Sequence, residues 1–397
     1  MKPMLVLIAC AILAPLALFV SMELNAIALP RIYVSKAATL PDKIRVLNRW
    51  IDRIEQSGKF NGAILIARND TVLLERYVGS ADETGRPITA ETSFNLASVS
   101  KQFTAFAILL LAHEGKLSRQ DVIGRYIPEL ERFGTLTIDH LLAHMSGLPD
   151  YARDTGLALR MDEEARVVTV PDLIAWLGEN PQVPLFHPGE REQYSNTNYV
   201  LLAEIVARVS GQSFADFMQL RFFNPLGMRH TTVASRSTNL HALPDRARGF
   251  RKRFVHFGPK VEHDLSRMDG VAGDGNIYAN GRDLVAWDAA LRAGSLLPDD
   301  VIQQAYAPVH LDNGEPVRET VFGKVIQPGL GWNVQDFPEV TSYGHWQGFS
   351  NFYWRSIRDG TVLVVLSNSG FFLRTAMIGE KLAEAAAALE DGVELRR

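Results

Sequence analysis

Two pairs of strand-like segments, one near each end of the chain, constrain the fold more than any other feature. "GAILIARNDTVLLERYVG", starting at Gly62, reads as two strands joined by a tight turn at Asn69-Asp70. "FSNFYWRSIRDGTVLVVLSN", starting at Phe349, reads as two more joined around Asp359-Gly360. An antiparallel sheet built from both chain ends follows. Helices at the two ends flank it. One is amphipathic, with Val46, Leu47, Trp50, Ile51 and Ile54 on one face, and the other runs through "TAMIGEKLAEAAAALE".

The stretch between the hairpins reads as mainly helical. Ser118 with Asp121 forms a capping-box pattern, Thr137 precedes "IDHLLAHM", and Gly147 and Pro149 act as terminators. The expected architecture is therefore α/β: an antiparallel sheet from both ends, flanked by helices, with an inserted mainly helical subdomain and a cleft where the halves meet. At 397 residues and 47% hydrophobic, the chain can bury a core of that size.

Residues 1–30 hold a single Lys2 and an uncharged apolar run from Met4 to Met22, which reads as an export signal peptide or a retained membrane anchor. Residues 31–44 read as a tether and residues 45–391 as one folded domain. The expectation is an exported protein, periplasmic or secreted, with a possible membrane tether. Cys10, the only cysteine, lies in the apolar run, so the mature part has neither a disulfide nor a thiol nucleophile. A net charge of -4 provides no global field for nucleic acid, which points to a small-molecule or peptide substrate.

In "SFNLASVSKQFTAF", Ser98 and Lys101 stand three apart at the start of a helix that is apolar on nearly all faces and ends at Gly115, with Ser93 or Asn95 as its cap. Positions three apart share a helix face, so the Lys101 amine reaches the Ser98 hydroxyl. Burial would leave that amine neutral and able to take a proton, while the helix N-terminus favours a developing oxyanion. In "PGEREQYSNTNYVLLAEIVARVSG", Tyr194, Ser195 and Asn196 lie in a loop before a helix expected to begin near Asn198. A tyrosine beside an ammonium is a competent general base, and an Asn amide can bind both the lysine and a substrate carbonyl. Taken singly, each motif also fits a polar helix start or a packed tyrosine.

Together with "LTIDHLLAHMSGLPDY" and "NPLGMRHTTV", these segments resemble the serine β-lactamase and penicillin-binding-protein superfamily, in its class C branch, across residues 45 to 370. The resemblance implies a β-lactamase/transpeptidase-like fold, with Ser98 as nucleophile, Lys101 as its proton partner, Tyr194 as general base and Asn196 as support. It also implies an acyl-enzyme hydrolysed by water, with no cofactor. The family's third motif places a Lys or His before Thr or Ser and Gly. Counting back six residues from Gly348-Phe349 gives Ser342-Tyr343-Gly344, without the cation. In that register the His345 N–H joins the Ser98 N–H as oxyanion hole; a gapped register would instead make His345 the histidine of the motif.

The missing cation favours neutral esters over carboxylate-bearing substrates. The expected function is an esterase-type serine hydrolase acting on a small-molecule ester or acyl substrate. A D-amino-acid peptidase or β-lactamase acting on cell-wall peptide is one alternative, and a non-catalytic binding protein is another. Two further signals are set aside. His140 and His144 have zinc-like i, i+4 spacing, but no Glu follows His140, so no metal is expected. "RARGFRKRFVHF" interleaves basic and aromatic residues and reads as a solvated hairpin beside the cleft rather than an anionic-polymer grip.

Overall fold

The computed structural model describes Ser21 and residues 27–389, apart from positions 36, 181, 241, 242, 244, 254–257, 322, 336 and 337. The export segment and Cys10 thus fall almost wholly outside the described residues. Among those described, no helix is long and apolar enough to cross a membrane.

Helix α1 spans Leu40–Gln56, with Thr39 accepting the Asp42 N–H as N-cap and a proline in the first turn. The tether expected over 31–44 is therefore shorter, because this cap and proline start the helix earlier than its apolar stripe does. The segment before it is also docked: Val34 is buried, and the Trp50 indole donates to the Pro30 carbonyl at 2.9 Å.

Strands β1 (Gly62–Arg68) and β2 (Thr71–Val78) form the first hairpin. Its turn residues Asn69 and Asp70 both have positive φ, as a two-residue hairpin turn demands. Towards the other end come β3 (Glu319–Val321), β4 (Lys324–Pro328), β5 (Asn333–Val334), β6 (Glu339–Trp346), β7 (Phe349–Ser356) and β8 (Thr361–Ser367). The eight make one sheet in the order β2-β1-β8-β7-β6-β5-β4-β3. Strand β1 pairs with β8 in antiparallel register, Ile64 opposite Val365, which joins the chain ends as expected.

Period-two alternation then sorts the sheet faces. Ile64, Ile66, Phe352, Trp354 and Val365 pack with Leu47, Trp50 and Ile54 of α1 and with Leu382 of the C-terminal helix. Ala63, Leu65, Tyr353 and Val364 face the larger core. That core holds α2 (Lys101–His113), α3 (Asn196–Ser210) and α4 (Gly281–Ala293), while α5 (Phe372–Ala387) lies on the other face. In α2 every residue from Lys101 to Leu111 is buried, and the Phe103 and Phe106 rings lie 4.5 and 5.3 Å from Trp287 of α4.

Local signals in the middle of the chain fared unevenly. Thr137 caps a helix over Ile138–Leu142. At Ser118 there is only a turn: the Ser118 N–H donates to Asp121, but the reciprocal side-chain bond goes to Gln120. Half a capping box does not nucleate a helix.

Candidate active site

The nucleophile turn is set by strain and close packing. Ala97 has φ 49°, an unusual conformation for a residue with a Cβ, and its N–H donates to the Asn95 side chain at 2.8 Å. The Asn95 side chain therefore braces this turn without capping it, and neither Asn95 nor Ser93 caps the helix. Residues Ala97–Ser100 form a 3-10 turn that runs directly into α2. The turn carries Ser98, and Lys101 opens the helix.

The Lys101 ammonium donates to Ser98 Oγ at 3.1 Å, to Asn196 Oδ1 at 2.8 Å and to the Asp274 carbonyl at 2.7 Å. The amine is thus held by Asn196 and the Asp274 carbonyl with its remaining contact on the Ser98 oxygen. The Tyr194 hydroxyl lies 2.8 Å from Ser98 Oγ. Helix α3 begins at Asn196, two residues earlier than expected, with Ser195 as N-cap. Asn196 is held in turn by Asp150, to which its amide donates at 3.2 and 3.1 Å.

The structure thus brings Ser98, Lys101, Tyr194 and Asn196 together, and the third motif borders the same space. Strand β6 pairs with β7 along its length but with β5 only at Val340 and Thr341, so from Ser342 onward its other edge has no strand partner among the described residues and borders the cleft. A Cβ on Gly344 would sit 2.2 Å from the Leu96 carbonyl and 3.2 Å from the Val99 nitrogen, so the strand approaches the nucleophile turn at that glycine. Ser342 is buried and lines the cleft. His345 also lines the cleft: its Nδ1–H donates to the Phe349 carbonyl at 3.1 Å, and the ring lies 5.5 Å from Phe372 of the cleft wall. Gly344 therefore occupies the close-approach position between the strand and the nucleophile turn, with Ser342 and His345 on either side of it both bordering the cleft.

The cleft has a volume of about 640 Å³, and Tyr151, Trp332, Trp346 and Phe372 supply much of its apolar wall. Several acidic groups also line it. Burial and the neighbouring Glu319 push Glu192 up to about 8, and burial pushes Asp269 up to about 7 although Trp346 donates to it. Burial also raises Asp274, against the Lys101 ammonium, and its carboxylate accepts the Tyr151 hydroxyl at 2.9 Å. Of the lining cations, Lys101 is committed as above and Arg153 lies 3.3 Å from Asp150.

Sequence reasoning missed these acidic groups, which carry no spacing pattern, and it gave His144 no role at the site. The helix carrying His140 ends at Leu142, and His144 follows in a left-handed conformation, so the two rings do not share a face. His140 instead accepts the Thr137 N–H, while the His144 ring lies 4.5 Å from Tyr194. Among the described residues no group of three or more His, Cys, Asp or Glu could hold a metal. The basic segment does form a small strand pair, Phe250–Lys252 with Lys260–Glu262, although residues 254–257 lie outside the described set. Its Arg246 is buried in a two-pronged bond to Asp264, at 3.1 and 2.7 Å.

The Beta-lactamase family model matches residues 47–388. Penicillin-binding protein 4* of Bacillus subtilis (strain 168) is 33% identical over 339 residues, spanning 82% of this chain and 72% of that protein. A D-aminopeptidase of Gluconobacter oxydans (strain 621H) is 28% identical over 67% of this chain and 50% of its own length. Among solved structures, a penicillin binding protein from Bacillus halodurans aligns with a TM-score of 0.68 at 24% identity, over 84% of this chain and 98% of that one. A class C beta-lactamase aligns at 0.67 and 18% identity, over 90% and 97%. These two likenesses are of fold. Because the family match runs from α1 into the C-terminal helix, and penicillin-binding protein 4* is aligned over most of both chains, the protein belongs to the beta-lactamase family of serine hydrolases.

Proposed function

We propose that the protein hydrolyses neutral esters through an acyl-enzyme on Ser98. The observation that carries this reading is the 2.8 Å contact between Ser98 Oγ and the Tyr194 hydroxyl, with the Lys101 ammonium 3.1 Å from the same oxygen. Tyr194, as phenolate, takes the Ser98 proton while Oγ attacks the ester carbonyl, and Lys101 offsets the charge without exchanging a proton. The N–H groups of Ser98 and His345 hold the oxyanion. Collapse breaks the ester C–O bond, and Tyr194 returns its proton to the departing alcohol. Water then attacks the acyl group, giving a proton to Tyr194; collapse breaks the acyl–Oγ bond, Tyr194 passes that proton to Ser98 Oγ, and the carboxylic acid leaves.

Two features support the preference for neutral substrates. Ser342 stands where a cation would pair with a substrate carboxylate. Glu192 and Asp269 line the cleft, and as they ionise they repel such a group. Losing a charge-assisted hydrogen bond of roughly 1.5–3 kcal/mol lowers kcat/KM by about tenfold to a hundredfold.

The test begins with a fluorophosphonate and mass spectrometry. Labelling at Ser98 that Ser98→Ala abolishes is expected, whereas no labelling favours a binding protein that has lost catalysis. Rates for short-chain p-nitrophenyl esters should then exceed those for β-lactams and D-Ala-D-Ala peptides, and Ser342→Lys should selectively improve the latter two. A wild-type preference for either of them would replace esterase with β-lactamase or peptidase.

A further inference from the structure

We infer that His144 is the positioning residue that holds Tyr194 against Ser98; this rests on Tyr194 acting as the base. The contacts bracket the tyrosine from both sides along the chain. The His144 carbonyl accepts the Gln193 N–H at 2.8 Å, and its Nδ1 accepts the Ser195 N–H at 3.2 Å. Between those two anchors the imidazole packs on the Tyr194 ring, with centroids 4.5 Å apart and planes inclined by 33°. Nδ1 also meets the Asn198 amide at 3.3 Å, and the ring's neighbour in the interior is Tyr199, at 5.1 Å.

One residue therefore fixes the backbone before and after the base as well as one side of its ring. Tyr194 is 37% exposed, so its outer side depends on that inner support. The left-handed backbone of His144, φ 57°, is what delivers carbonyl, imidazole nitrogen and ring to three consecutive residues at once. Non-glycine residues are held in that conformation mainly where surrounding structure demands it.

The acceptor role requires a neutral ring with its proton on Nε2. The titratable groups around it are Tyr194 from the preceding loop and Tyr199 from α3, whose rings it packs on, and the Lys101 charge from α2, which lies over both of those rings. Burial, with the Lys101 ammonium nearby, lowers the imidazole to about 3, which keeps the Nδ1 lone pair free to accept.

The test is a double-mutant cycle on p-nitrophenyl ester turnover. His144→Asn keeps a short acceptor and tolerates the left-handed backbone but loses the ring; His144→Phe keeps a ring but loses the acceptor. Each should lower kcat by about tenfold to a hundredfold with KM little changed, the scale of a misplaced catalytic group. In a Tyr194→Phe background the same changes should cost less than about threefold, because the group they position is gone. Full losses in both backgrounds, or turnover near wild type in folded single variants, overturn the inference. If Tyr194→Phe alone keeps turnover, the underlying base assignment fails instead. NMR of the wild-type protein, with labelled histidine, tests the same point without substitution. A neutral His144 protonated on Nε2 is expected down to about pH 5, and an imidazolium there, or a proton on Nδ1, refutes the role.

Discussion

Each catalytic candidate has its position fixed by a neighbour whose importance depends on where the chain folds. Glu192 shows the same dependence through its proton. Its carboxyl is pushed from an ordinary 4.5 to about 8 by burial and by Glu319, so between those values the folded state holds a proton that the unfolded chain has released. The stability this contributes is present at low pH and is lost as pH rises through about 8, and Asp269, raised to about 7, acts in the same direction. His144 acts oppositely: with its imidazole lowered to about 3, acid takes stability away as pH falls below its ordinary 6.5. Melting temperature should therefore fall between about pH 6 and pH 8, and Glu192→Gln should flatten that fall. An equally steep fall in the variant would remove Glu192 as its source.

Among the elements, the nucleophile turn and β6 form the tightest junction of the site. Gly344 lets the strand pass the Leu96 carbonyl where a Cβ would come within 2.2 Å, and that carbonyl belongs to the turn before Ser98. Gly344→Ala must move either the strand or the turn. Overpacking of this kind costs about 1–3 kcal/mol of stability. A shift of about 1 Å at the oxyanion hole should lower kcat/KM roughly a hundredfold. Parallel denaturation and steady-state kinetics check both, and wild-type values for the two would show that the strand does not set the site. The run Ser342-Tyr343-Gly344, without a cation, was visible in sequence once the family resemblance had been drawn. Whether His345 faced the nucleophile was not, because that depends on which face of the strand meets the turn. Helix starts were similarly local in cause but easily displaced. Thr39 and Ser195 are the N-caps, and each lies ahead of the apolar pattern that signals its helix.

At the scale of the molecule, the sheet separates stability from chemistry. Trp50 is 2% exposed on the side covered by α1 and α5, across the sheet from the cleft, and its indole ties α1 to the segment before it. Trp50→Ala should cost about 3–5 kcal/mol in urea unfolding. The fluorophosphonate labelling rate of the folded protein should stay at the wild-type level, and a slowed rate would mean that the two sheet faces are coupled. The sequence alone determined the sheet built from both chain ends, the buried helix behind Ser98, and the pairing of Ser98 with Lys101. Those rest on period-two alternation, apolar runs and three-residue helical spacing, all properties of short segments. The tertiary structure decided the rest: Lys101 surrounded by three acceptors, Glu192 set near Glu319, and His144 turned from the face of His140 onto Tyr194. Their physical basis is contact between residues far apart in the chain, or a backbone dihedral imposed by packing, and neither leaves a periodic trace in the residues themselves.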